Sequence, residues 1–251
     1  MCRLLGWATR VPTTLADLLG AELADFTQLS TKHGDGWGMA RSTRRGVRVR
    51  KQADAARTST RFAREADRRR TDLGLAHLRW ATLGLGIGRD NTHPFTDGRV
   101  AFAHNGSITP PSALDALLTD DVRALRAGDT DSERYFLAVA ERIRDGELPE
   151  DALRGCADEI AATAEFTSLN CLLLTPGKLY ALCRYDPAGR WEDDDPVYYR
   201  LRYRVSPDAV VVASSGWGSD WRELANGDLL VVGRRTLDTT VVTSAGRSVA
   251  V

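Results

Sequence analysis

The stretch Asn170-Cys171-Leu172-Leu173-Leu174-Thr175, with Leu179-Tyr180-Ala181-Leu182-Cys183-Arg184 close behind it, marks where the patterning of the chain changes to a period of two. Beyond it, Val197 to Tyr203, Ala209 to Ser214, Asp228 to Val232 and Thr239 to Val242 read as further short strands. Upstream the period is helical. Residues 130 to 145 open with Thr130-Asp131-Ser132-Glu133, a capping-box pattern, and carry Tyr135, Phe136, Val139 and Ile143 on one face; a second helix follows over about 150 to 164. Nearer the N-terminus, Leu73 to Trp80 and Arg99 to His104 read as buried strands that each end in a polar cluster. Residues 3 to 9 form a strand that runs through Val-Pro-Thr-Thr into the N-cap of a helix over about 15 to 28, with Leu15, Leu18, Leu19, Leu23 and Phe26 at helical spacing. Strands, then helices, then strands imply an α+β domain of packed sheet and helix layers.

At 251 residues the chain is long enough to bury one sizeable core without disulfides or metal, an area-scaling argument giving roughly 70 to 75% of the unfolded surface. No repeat, linker or low-complexity tract divides it, so a single domain over 2–251 is expected. The 34 basic and 34 acidic residues cancel, which removes any overall drive toward nucleic acid or membrane. Arg41 to Arg70 holds twelve basic residues against three acidic ones, but no aromatic platform interleaves with them, and a solvated face explains the run. There is no run of 18 apolar residues and no signal-peptide pattern, so a cytoplasmic protein is expected. Of the four cysteines, Cys156, Cys171 and Cys183 read as buried small hydrophobes.

Cys2 has an option that no internal cysteine has. If Met1 is removed, its thiol and the only free α-amine share one residue, and an α-amine titrating at about 7.7 to 8.0 is substantially neutral near physiological pH. Such an amine can take the thiol proton and later return it to a leaving amine, so that one residue supplies nucleophile and base. The alternative is a cysteine that merely starts a strand. Attack on an amide also needs an oxyanion hole, and Phe102-Ala103-His104-Asn105-Gly106-Ser107 ends a strand where the Asn105 amide and the Gly106 N–H can face one oxygen, although Asn-Gly is equally a hairpin signal. In His77-Leu78-Arg79-Trp80-Ala81-Thr82, Arg79 can grip a carboxylate bidentately with Thr82 adding a hydroxyl, unless the arginine is simply at the surface. Asp131 can accept an ammonium, or merely cap its helix. Nucleophile, oxyanion hole, carboxylate clamp and ammonium acceptor together suit a γ-linked glutamyl amide.

Met1-Cys2, His33-Gly34-Asp35-Gly36-Trp37-Gly38, His77-Leu78-Arg79-Trp80-Ala81-Thr82, Asn91-Thr92-His93-Pro94-Phe95, Ala103-His104-Asn105-Gly106 and Gly128-Asp129-Thr130-Asp131-Ser132-Glu133, in that order, resemble the class II glutamine amidotransferase family of N-terminal nucleophile hydrolases. The likeness spans residues 2 to about 140. It implies a four-layer αββα sandwich with two stacked, mostly antiparallel sheets. It also implies Cys2 as nucleophile after loss of Met1, Asn105 and Gly106 as oxyanion hole, Arg79 and Thr82 on the α-carboxylate and Asp131 on the α-amine. Asp35, Trp37, Trp80 and His93 would support the site, with no cofactor and no metal. Leu83 stands where relatives often have histidine, which bears on substrate affinity or selectivity. The chain ends where such a domain should end, like the stand-alone members that hydrolyse γ-glutamyl compounds. The reading is thus an amidohydrolase working through a γ-glutamyl thioester. Its alternatives are an ammonia-donating subunit for a separate acceptor enzyme and a non-catalytic amino-acid sensor.

Other motifs lead nowhere. Gly84, Gly86 and Gly88 lack the dinucleotide spacing and precede a loop. His33, His77, His93 and His104 show no metal-ligand spacing, the capping box accounts for Asp129 and Asp131, and Trp217 and Trp221 read as packing or cleft residues.

Overall fold

The computed structural model describes residues 2–81, 86–188, 197–214 and 217–251. Thr82, Leu83 and Gly84 lie outside the described residues. In chain order the strands are β1 (Arg3–Thr13), β2 (Gly36–Ser42), β3 (Val47–Gln52), β4 (Thr71–Arg79), β5 (Phe95–Thr96), β6 (Ala101–Asn105), β7 (Ile108–Thr109), β8 (Glu165–Phe166), β9 (Asn170–Leu174), β10 (Lys178–Leu182), β11 (Leu201–Val205), β12 (Ala209–Ser214), β13 (Arg222–Glu223), β14 (Leu229–Gly233), β15 (Thr239–Val242) and β16 (Ser248–Ala250). The α-helices are α1 (Leu15–Leu19), α2 (Glu22–Gln28), α3 (Thr60–Arg68), α4 (Asp120–Arg123), α5 (Asp131–Arg144) and α6 (Pro149–Thr163).

Two seven-stranded antiparallel sheets stack, in the orders β13-β11-β12-β1-β4-β2-β3 and β16-β15-β14-β10-β9-β6-β5. The period of two explains why they stack, because successive side chains leave a strand on opposite faces. In β1, Leu4 and Ala8 enter the layer between the sheets, where they meet Leu75, Ala103, Leu172 and Leu174. Leu5 and Trp7 face the other way, against Leu15, Leu19, Phe26 and Phe62 of the first three helices. In β9, Cys171 and Leu173 face Tyr135, Val139, Leu153 and Ile160 of α5 and α6. Both faces of the central strands are therefore apolar, and the layers run helix, sheet, sheet, helix. This is the expected αββα sandwich.

Local departures from the expected pattern have identifiable causes. The helix expected over 15 to 28 breaks into α1 and α2, because Gly20 takes φ of 55° and its N–H closes onto the Ala16 carbonyl. The strand expected from Val197 starts only at Leu201, since Tyr198 and Tyr199 are turn residues with buried rings. The capping box forms by half: Thr130 Oγ1 accepts from Glu133 N, but the Glu133 carboxylate reaches back to Ala127 N and Gly128 N at 2.9 and 2.8 Å. Two- and three-residue edge strands such as β5, β7, β8 and β16 carry no legible period. Arg48 and Arg50 of the basic stretch lie exposed on edge strand β3, where charge blunts pairing with other chains.

At the end of β4 remote from Arg79, the buried Asp72 carboxylate holds Arg234 at 2.7 Å and also binds Arg235. Arg234 reaches on to the Pro176 and Thr43 carbonyls, so one carboxylate ties the two sheets together. These arginines hold the Asp72 carboxyl below its ordinary range against the opposing effect of burial. A carboxyl whose folded pKa is depressed stabilises above its unfolded pKa and loses that stabilisation as pH falls through the folded value. Asp72→Ala is expected to cost roughly 2 kcal/mol at neutral pH, a partly screened version of breaking a buried pair. Thermal unfolding should show the gap from wild type closing as the pH drops below about 4.

Candidate active site

Four chain segments meet at the opposite end of the sandwich. Cys2 precedes β1, Arg79 ends the adjacent β4, Asn105 ends β6 of the second sheet, and Asp131 opens α5. The Arg3↔Leu78 register sets Cys2 across from Arg79. A pocket of about 360 Å³ is lined by Cys2, Arg79, Gly106, His93, His104 and Asp131, with Trp80, Ala81, Asn91, Thr130 and Ser132 completing the wall.

Cys2 is buried, and its N–H donates to Asn105 Oδ1 at 2.9 Å, joining the residue before β1 of one sheet to the last residue of β6 in the other. With its oxygen engaged, Asn105 keeps Nδ2 as a buried donor with no protein partner. The Cys2 thiol lies 3.7 Å from the Trp80 carbonyl. Burial pushes this thiol up from its ordinary pKa, and the positive charge of the chain terminus is the main opposing effect. The Asn-Gly pair does not form a β6 hairpin, since β6 pairs with β5 and β9 while the chain leaves toward β7. Gly106 has no room for a side chain, because a Cβ there would sit 1.8 Å from the Ser168 carbonyl oxygen.

Arg79 is 3% exposed, so it is not a surface arginine. Its Nη2 donates to the Gly86 carbonyl at 3.2 Å, and its Nη1 is buried without a partner. Burial lowers its pKa, against the pull of Cys2 and Asp35. Asp35 fixes the strand end from behind: its N–H donates to the Arg79 carbonyl at 3.0 Å and its Oδ2 accepts from Ala81 N at 2.7 Å. Asp131 does not cap α5, a task done by Thr130. Its Oδ2 accepts from Ile108 N at 2.7 Å and its Oδ1 from Ser132 N at 2.8 Å. Neither Arg79 nor Asp131 forms an ion pair among the described residues, so the pocket holds one cation and one anion that are free to meet a ligand.

The supporting residues separate. His93 is in the pocket wall, both ring nitrogens unpartnered among the described residues, its ring tilted against that of His77 with centroids 4.2 Å apart, and burial lowers its pKa well below the ordinary value. Trp80 lies half-buried with Lys32 Nζ 4.4 Å over its ring. Trp37 is elsewhere, beneath the outer helices, donating to Asp54 Oδ1 and Ser59 Oγ at 2.8 and 3.0 Å. Asn91, His104 and Ser132 also line the pocket, though sequence reasoning gave them no task. Asn91 bridges Gly86 O and Asp129 N, and its place in the Asn-Thr-His-Pro-Phe motif was the available signal. Cys156, Cys171 and Cys183 are buried, their thiols pushed up to about 12. Among the described residues no set of three or more His, Cys, Asp or Glu is placed to hold a metal ion, and no helix is long and apolar enough to cross a membrane.

Residues 1–249 match the family model described as Glutamine amidotransferases class-II. The chain is 29% identical to a Gamma-glutamyl-hercynylcysteine sulfoxide hydrolase from Mycolicibacterium smegmatis, over 92% of this chain and 96% of that protein. It is 31% identical to a Putative glutamine amidotransferase from Haemophilus influenzae, over 90% of this chain and 82% of that one. Among solved structures, a glutamine aminotransferase class-II domain protein from silicibacter pomeroyi superposes with a TM-score of 0.65 at 22% identity, covering 92% of this chain and 95% of that chain.

The closeness of Ser168 to Gly106 yields a direct test. Gly106→Ala must push the β8–β9 connection away, at a cost of about 2 kcal/mol in line with overpacking of a filled site. Thermal denaturation of the variant against wild type measures it.

Proposed function

Because the chain belongs to the class II glutamine amidotransferase family, we propose that it hydrolyses the side-chain amide of glutamine or of a γ-glutamyl amide through a thioester on Cys2. Met1 is removed, and the mature domain runs over 2–251. The observation that carries this reading is the Cys2 N to Asn105 Oδ1 hydrogen bond, which fixes the future amine beside the thiol and leaves Asn105 Nδ2 free to donate.

The steps follow from the charges. Arg79 takes the substrate α-carboxylate and Asp131 the α-ammonium, and Thr82 completes the carboxylate site. The neutral α-amine of Cys2 accepts the thiol proton as sulfur bonds to the amide carbon. Asn105 Nδ2 and the Gly106 N–H hold the oxyanion, each such donor being worth about 3 kcal/mol in the transition state. The amine's proton passes to the leaving nitrogen, the C–N bond breaks, and a γ-glutamyl thioester remains. Water then gives a proton to the same amine and attacks the thioester carbon; the C–S bond breaks, glutamate leaves, and the departing sulfur takes the proton back from the amine to restore the thiol. Burial suits this order, because a thiol that stays protonated until substrate arrives gives up its proton only in the attack. His93 and Trp80 shape the walls, and Asp35 positions Arg79 and Ala81.

A relative named as a hydrolase that matches over 96% of its own length favours hydrolysis over ammonia donation to a separate enzyme. The physiological substrate on this reading is a γ-glutamyl compound of that general kind, whose γ-glutamyl group passes to Cys2 while its amine leaves.

Two outcomes test the reading. Cys2→Ala should remove glutaminase and γ-glutamyl amidase activity with the thermal midpoint retained, and intact mass should show wild type without Met1 and a thioester adduct on Cys2 after rapid acid quenching. Arg79→Ala should lower kcat/KM about a hundredfold, mainly through KM, given the strength of a charge-assisted bidentate contact; steady-state kinetics with γ-glutamyl anilides would record it.

A further inference from the structure

We infer that His104 and Ser132 form a positioning pair that keeps the Asp131 carboxylate open for the substrate ammonium, and so sets selectivity for γ-glutamyl amides over glutaryl amides that lack the α-amine. The inference rests on the assignment of Asp131 above.

The hydrogens on this pair follow from its partners. His104 Nε2 lies 2.9 Å from the Ser168 carbonyl oxygen, which only accepts, so Nε2 carries a proton. His104 is wholly buried. Its neighbours are Asp131, the Tyr135 ring, edge-to-face with centroids 5.5 Å apart, and His77, whose Nε2 meets the His104 carbonyl at 3.3 Å. Burial lowers its pKa and Asp131 only partly opposes this, so the ring is neutral and Nδ1 is a bare lone pair. Ser132 Oγ stands 2.8 Å from that Nδ1 and 3.3 Å from Asp131 Oδ1. One hydroxyl hydrogen cannot serve both. The shorter contact takes it, and Ser132 donates to His104.

The consequence falls on Asp131. Its two oxygens each accept one backbone N–H, from Ile108 and Ser132. Each keeps a further lone pair, and the serine hydroxyl does not compete for it. Without the His104 acceptor, that hydroxyl would turn onto Asp131 Oδ1 and weaken the hold on an incoming ammonium. Ser132 and His104 both line the pocket, so the change occurs at the ligand.

The test uses L-γ-glutamyl-4-nitroanilide and glutaryl-4-nitroanilide as paired substrates. His104→Phe should lower the ratio of their kcat/KM values about tenfold, the equivalent of one charge-assisted hydrogen bond, chiefly through KM for the γ-glutamyl compound. Adding Ser132→Ala to it should restore most of the ratio, because no hydroxyl remains to compete. A merely structural role for His104 gives a double variant no better than the single one, and that result overturns the inference. Asp131→Asn separates the two levels: if it leaves the ratio intact, the assignment of Asp131 fails, whereas if it abolishes the ratio and His104→Phe does not, only the present inference fails. Should His104→Phe not fold, long-range ¹H–¹⁵N correlation on the wild-type chain, which has 4 histidines, reads the tautomer directly. An unprotonated Nδ1 at neutral pH is expected, and a protonated Nδ1 overturns the inference.

Discussion

A single hydrogen bond, from the Cys2 nitrogen to the Asn105 side-chain oxygen at 2.9 Å, sets the geometry on which the rest of the site depends. Its ends are 103 residues apart in the chain, one leading into a strand of the first sheet and the other ending a strand of the second, so it exists only once both sheets have stacked. An asparagine side chain carries its acceptor and its donors on opposite arms. Committing the oxygen to Cys2 therefore directs the nitrogen elsewhere, and that nitrogen finds no partner among the described residues. A buried donor left unmade costs about 1 to 3 kcal/mol, a debt that a carbonyl oxygen arriving at the corner would relieve. The same contact would align the two functions that the proposed reaction asks of residue 2.

The charges tell a matching story. Arg79 and Asp131 share one pocket without an ion pair between them, each held by backbone groups instead. Burying opposite charges apart disfavours folding. The arrangement fits a zwitterion whose ends neutralise both at once, and the Gly86 carbonyl, which receives Arg79 and Asn91 together, keeps the cation on its side of the pocket.

Much of this was legible in sequence because the decisive residues stand where a regular pattern stops. Cys2 precedes a strand, Arg79 and Asn105 end strands and Asp131 starts a helix, so period alone places them at element ends. That these ends converge was legible only through the family resemblance, since period carries no information on which sheet edges meet. Where local rules misled, a competing contact or the strand's own alternation had intervened. Glu133 satisfies the N–H groups of Ala127 and Gly128 instead of closing its own cap. Trp37 sits in a motif beside Asp35, yet strand alternation turns its ring toward Phe62 and the outer helices. The His104–Ser132 pair left no trace in the pattern, because a tautomer is decided by a carbonyl from a distant loop.

The wall at Gly106 is closed by the main chain of Ser168, with the His104 ring beside it, so the glycine itself offers no side chain to exchange. A library aimed at new substrates would find nothing to vary there: cutting volume is impossible at glycine, and adding any displaces a carbonyl. Diversification belongs at His93 and Trp80, whose side chains can be trimmed or swapped while the corner stays as rigid as the sheet that delivers it.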